Sequence, residues 1–127
     1  MIMETVNIVG TEDTPGVILD YESGEFVISG RSLPEDVASF YKPILEWLDE
    51  FSRNPRDGAK FLFKLEYFNT ASSKILLDVF LKLEEISEDT GKSFVIEWHH
   101  QTSDPDMLAA GEEYAELVAI PFEYIAY

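Results

Sequence analysis

The stretch Lys60-Phe61-Leu62-Phe63-Lys64-Leu65-Glu66-Tyr67-Phe68-Asn69-Thr70-Ala71-Ser72-Ser73 decides the fold. Phe61, Phe63, Leu65 and Tyr67 alternate with Lys60, Lys64 and Glu66. Side chains on a strand point to opposite faces in turn, so this alternation predicts a strand with one well-buried face, Tyr67 included. Two residues later the period changes. Ile75, Leu76, Val79, Phe80, Leu83 and Ile86 recur at helical spacing and predict a helix from about Ala71 to Glu88. Asn69-Thr70 therefore stands at a strand-to-helix junction.

Working downstream, Thr90-Gly91-Lys92 ends that helix, and Phe94, Ile96 and Trp98 mark another strand. Asp104-Pro105 reads as an N-cap followed by a first-turn proline, which predicts a short helix over 105–116. Phe122 and Tyr124 belong to a last strand, with Pro121 pointing to an edge or a bulge.

Upstream, residues 4–11 read as a weak first strand. Val17–Asp20 and Glu25–Ile28 form a hairpin around Tyr21-Glu22-Ser23-Gly24. Gly30-Arg31-Ser32-Leu33-Pro34-Glu35 then opens a helix, with Ser32 and Glu35 at capping-box spacing. Val37, Phe40, Tyr41, Ile44, Leu45, Leu48 and Phe51 form its apolar stripe, and Pro43 predicts a kink or break inside it. The expected order is β-β-β-α-β-α-β-α-β. It implies an α/β fold with a mixed β-sheet, right-handed crossovers between parallel strands, and helices mainly on one face.

The chain has 127 residues and reads as one domain over 1–127. Its 46% apolar content, with 9 Phe, 6 Tyr and 2 Trp, supplies a core. The formal charge of −16 argues against nucleic acid and against anionic membrane, since both recruit Lys and Arg. There is no cysteine, which excludes disulfides and thiolate chemistry. Met1–Thr5 has no basic start or apolar run typical of a signal peptide. No stretch reaches the ~18 apolar residues of a membrane span, so cytoplasm is the expected compartment.

Ligands and partners meet the carboxyl ends of parallel strands. Three segments end there: Gly30-Arg31-Ser32, Asn69 through Ser73, and Trp98 through Asp104. From the residues alone, Asn69 or Thr70 reads as a helix N-cap. Thr70 also reads as a phosphoacceptor, because free amides and the positive dipole end of a helix favour an anion. Ser72 and Ser73 are rival acceptors, and Arg31 and Lys74 are candidate partners of the phosphate. His99-His100 with Asp104 allows a small metal-dependent hydrolase, although adjacent strand residues chelate poorly. Interface roles for His99 and His100 fit better, and no metal or cofactor is expected. Phosphate loops, His-Glu-x-x-His and nucleophile elbows are absent. Glu84-Glu85 and Glu112-Glu113 read as solvated helix faces.

Gly30-Arg31-Ser32-Leu33-Pro34-Glu35, Glu66-Tyr67-Phe68-Asn69-Thr70, and Trp98-His99-His100 with Asp104-Pro105-Asp106-Met107 together resemble the SiaC family of bacterial regulatory phosphoproteins. The family is similar in fold to the STAS domains of anti-anti-sigma factors such as SpoIIAA. The resemblance implies a non-enzymatic partner-switching module. A cognate Ser/Thr kinase phosphorylates the family's threonine, which falls on Thr70, and a PP2C-type phosphatase reverses it. The unphosphorylated form activates a diguanylate cyclase, raising cyclic-di-GMP and promoting biofilm. Ala71 stands where Ser often follows the threonine. An anti-anti-sigma-like protein binding an anti-sigma kinase is the alternative module.

Overall fold

The computed structural model describes residues 3–127; Met1 and Ile2, part of the N-terminal reading, lie outside them. Nine elements follow in the expected order. They are β1 (Val6–Ile8), β2 (Gly16–Asp20), β3 (Glu25–Ser32), α1 (Val37–Phe51), β4 (Ala59–Phe68), α2 (Thr70–Thr90), β5 (Phe94–His100), α3 (Pro105–Leu117) and β6 (Phe122–Ala126).

The six strands form one sheet in sequence order, β1-β2-β3-β4-β5-β6. β1, β2 and β3 pair antiparallel, whereas β3 to β6 run parallel. The change of sense at β3 follows from connection length. The four-residue turn Tyr21–Gly24 can only reverse the chain, and Gly24 accepts the φ of 74° that it needs. Each later connection carries a helix, so the chain can return and start the next strand in the same sense.

Burial alternates along every central strand. Val17 and Leu19, Phe26 and Ile28, Phe61, Phe63 and Leu65, and Phe94, Ile96 and Trp98 are all buried on one face. Ile44, Trp47, Leu48 and Phe51 of α1 and Leu76, Val79, Phe80 and Leu83 of α2 close over them. α3 packs there too, through Tyr114 against Phe80 and Trp98. The helices thus lie on one face, as expected. The other face carries Lys60, Glu97 and His99, joined through Glu97.

Three local expectations are corrected. First, Ser32 does not cap α1. β3 continues through Ser32, and the helix begins at Val37 with Asp36 as cap, its carboxylate accepting from the Ser39 amide at 3.1 Å. Ser32 is drawn into the sheet because its carbonyl accepts from Asn69 N–H at 3.0 Å. Second, Pro43 does not break α1, which is continuous over Val37–Phe51. Pro43 and Ser39 both face solvent, so water can take the Ser39 carbonyl that proline leaves free.

Third, Tyr67 does not share the buried face. Gly30 pairs with Leu65, but Arg31 pairs with Tyr67 and Ser32 with Phe68, so β4 holds one extra residue at Glu66. Such a bulge re-aims every side chain beyond it. Tyr67 turns outward to 45% exposure. Phe68 turns inward against Trp98 and Tyr114. Gly30 opposite the bulge has a φ of 95°, which side chains rarely tolerate.

Candidate functional site

The candidate site lies along the carboxyl edge of the parallel strands. The ends of β3, β4 and β5 converge there, and the β1–β2 turn joins them through Leu33 N–H donating to the Asp13 carbonyl at 2.8 Å. α2 starts at this edge. Asn69 is its N-cap: the side-chain oxygen accepts from Ser72 N–H at 2.9 Å, and the backbone carbonyl accepts from Ser73 N–H at 2.9 Å. Of the two cap candidates, Asn69 therefore holds the role, leaving Thr70 as the first helical residue.

This placement separates the three hydroxyls. Thr70 is exposed, and its hydroxyl takes no part in the surrounding hydrogen bonds among the described residues. Ser73 is half-buried and donates back to the Thr70 carbonyl at 2.7 Å. Ser72 is fully buried. Its hydroxyl donates to the Ser32 carbonyl at 2.9 Å and lies 2.8 Å from Ser32 Oγ. Ser32 Oγ in turn lies 2.7 Å from Tyr41 Oη. This buried chain of hydroxyls ties the end of β3, the first turn of α2 and the N-terminal part of α1 together beneath Thr70. Burial pushes the Tyr41 hydroxyl's pKa up, opposed by its bond to Ser32, so Tyr41 stays neutral and able to donate.

The sequence alone does not show that cluster, because Tyr41 falls on the apolar stripe of α1. A buried tyrosine needs a partner for its hydroxyl, and that requirement was the available signal. Tyr114 follows the same rule, donating to the Ser73 carbonyl at 2.7 Å and anchoring α3 on the first turns of α2. Its own hydroxyl is pushed up by burial first, then by Tyr41 and Glu113.

The charged candidates occupy distinct positions. Arg31 is exposed on the open sheet face, where Nε donates to the Glu12 carbonyl at 3.1 Å and the guanidinium covers the Tyr67 ring at 5.3 Å. Lys74 is exposed one turn after Thr70. The first turn of α2 contains no acidic residue. Free amides, the helix dipole and Lys74 together make this first turn tolerant of added negative charge.

His99 and His100 sit on opposite faces. His99 Nε2 is 3.2 Å from Glu97 Oε1 on the open face. His100 is buried on the helix-covered side, with Nδ1 3.2 Å from the Gln101 carbonyl. Asp104 caps α3 by accepting from Met107 N–H at 3.1 Å. The three groups of the hydrolase reading are therefore not gathered. Among the described residues no three His, Cys, Asp or Glu side chains cluster as metal ligands.

Residues 8–127 match the SiaC family regulatory phosphoprotein. The chain belongs to the SiaC family. An uncharacterised protein of Pseudomonas aeruginosa (strain UCBPP-PA14) is 27% identical over 120 residues, covering 94% of either chain. The solved SiaC of Pseudomonas aeruginosa superposes with a TM-score of 0.87 at 26% identity, over 98% of this chain and 100% of that one. Another structure holds the diguanylate cyclase SiaD of that organism in complex with its activator SiaC. It matches with a TM-score of 0.89 at 26% identity, over 96% of this chain and 99% of that one. As a member of this family the chain is a regulatory phosphoprotein rather than an enzyme. No helix among the described residues is long and apolar enough to cross a membrane.

Proposed function

We propose that this chain is a cytoplasmic partner switch whose unphosphorylated form binds and activates a diguanylate cyclase. Phosphorylation of Thr70 by a cognate Ser/Thr kinase blocks that contact, and a PP2C-type phosphatase restores it. The observation that carries the reading is the division of labour among the hydroxyls. Thr70 is exposed at the first position of α2, whereas Ser72 is buried and Ser73 is turned back on the helix. A kinase must bring a hydroxyl in line with a γ-phosphate, which favours Thr70 over both serines. Membership of a phosphoprotein family and the activator role of the Pseudomonas SiaC support the same reading.

The switch needs no unfolding. A phosphate adds about −1.5 to −2 charges at pH 7 and a hydrated bulk to a docking surface. The first turn of α2 can hold it, with Lys74 within one turn. Incubation with the cognate kinase, read on a phosphate-affinity gel, tests the assignment. Wild type should shift and Thr70→Ala should not; an undiminished shift of Thr70→Ala removes Thr70 as the acceptor. Thr70→Glu should weaken binding to the cyclase, and unchanged affinity would end the switch mechanism.

A further inference from the structure

We propose that the free edge of β6 is a docking surface that takes an extended basic segment of another protein as a further strand of the sheet. β6 closes the strand order, so one side of it has no neighbouring strand among the described residues. On a parallel strand, alternate residues turn their N–H and C=O to the same side. The Pro121 carbonyl accepts from Ile96 N–H at 3.0 Å, and Tyr127 N–H donates to the His100 carbonyl at 3.0 Å. The odd-numbered positions therefore bond to β5. Phe122, Tyr124 and Ala126 turn their amides and carbonyls outward, as strand addition requires.

Natural sheet edges are guarded by shortness, by lysine or by a bulge. β1, the opposite edge, is only 3 residues long. β6 has 5 residues, no Lys and an unbroken register with β5. Every residue of β6 after Phe122 is exposed. Tyr124, Ile125 and the following Tyr127 leave large apolar side chains in water along this edge.

Charge selects the occupant. Residues 94–127 contain no Lys or Arg. Tyr124 pairs with Trp98 and so lies on the face that α3 covers. Its hydroxyl pKa is pushed up by burial first, then by Glu112 and Glu116 of α3. Glu123 and Ile125 pair with Glu97 and His99 on the open face. His99 and Lys60 are both engaged there by the Glu97 carboxylate. An incoming strand keeps the pleat, so its side chains alternate between the two faces. Those beside Tyr124 meet Glu112 and Glu116 and are Lys or Arg, whose cation also suits an aromatic ring. Those beside Ile125 are β-branched. A second copy of this chain fits worse. Pairing β6 with β6 about Tyr124 would bring two sets of these carboxylates to one seam, on chains of net charge −16 each.

The test uses the full chain and a fluorescein-labelled peptide of about ten alternating Lys and Val residues, titrated by anisotropy. The wild type should bind it, and no binding overturns the proposal. Amide exchange of Phe122, Tyr124 and Ala126 should slow in the complex; unchanged exchange at all three overturns strand addition. Ala126→Pro removes one outward donor, costs no bond to β5 and leaves the charge as it was. It should weaken binding about tenfold, with circular dichroism like wild type. Glu116→Lys should weaken binding as well. Weakening by Glu116→Lys without any by Ala126→Pro marks electrostatic adhesion and overturns the proposal. So does a wild-type dimer in sedimentation that Ala126→Pro converts to a monomer, because the edge would then belong to a second copy. None of these outcomes depends on phosphorylation of Thr70.

Discussion

At the scale of single residues, Thr70 shows how position separates chemically equivalent groups. Three hydroxyls within four residues are indistinguishable by type, yet one helical turn buries one, folds back another and presents the third. Thr70→Ala should therefore change thermal stability by less than about 0.5 kcal/mol, as is usual for exposed positions. Differential scanning calorimetry checks this alongside the phosphorylation assay. Asn69→Ala removes the acceptor for the Ser72 amide and should cost about 1 kcal/mol in urea unfolding. Asp57 offers a pH test. Its carboxylate accepts from the Ser93 amide at 2.8 Å and from the Ser93 hydroxyl at 3.1 Å, which hold its pKa below the usual carboxylate range. A depressed folded pKa means the contribution is complete above the unfolded value of about 3.9 and is lost as pH falls through the folded one. Asp57→Asn should lower stability at neutral pH, where that contribution is complete, and make acid unfolding less steep in that window.

At the scale of elements, α3 is seated by one close approach. Trp98 Nε1 donates to the Met107 carbonyl at 2.8 Å, and the indole lies against Gly111. A Cβ at Gly111 would come 2.4 Å from Trp98 Cδ1, closer than carbon atoms can stand. Gly111→Ala should push α3 off the sheet and cost about 1–3 kcal/mol, the usual range for overpacking. The shift should appear in tryptophan fluorescence. The bulge in β4 is the other decisive element. It turns Tyr67 out and Phe68 in, and strict alternation gives no sign of it. The sequence carried one clue, Gly30 in the neighbouring strand, whose φ of 95° suits the irregularity.

At the scale of the whole molecule, a charge of −16 on 127 residues makes self-repulsion a general cost of folding. Raising neutral salt from low ionic strength to about 0.15 M shortens the screening length to about 8 Å and should raise the thermal midpoint. Element order, the apolar faces of the central strands and the strand-to-helix junction at Asn69-Thr70 were all determined by the sequence itself. Local periodicity and capping chemistry act over a few residues, and the chain displays them directly. The start of α1, the outward turn of Tyr67, the burial of Ser32 and Ser72 and the separation of His99 from His100 were decided otherwise. Ser32 could cap a helix or end a strand; the Asn69 amide, 37 positions away, chose the strand. The hydroxyl cluster under Thr70 likewise joins residues 9 and 40 positions apart. Such contacts exist only once the sheet has closed, because the pairing that buries each group comes from another part of the chain. The junction at Thr70 was thus legible from the beginning, but the exposure of its hydroxyl belongs to the tertiary structure.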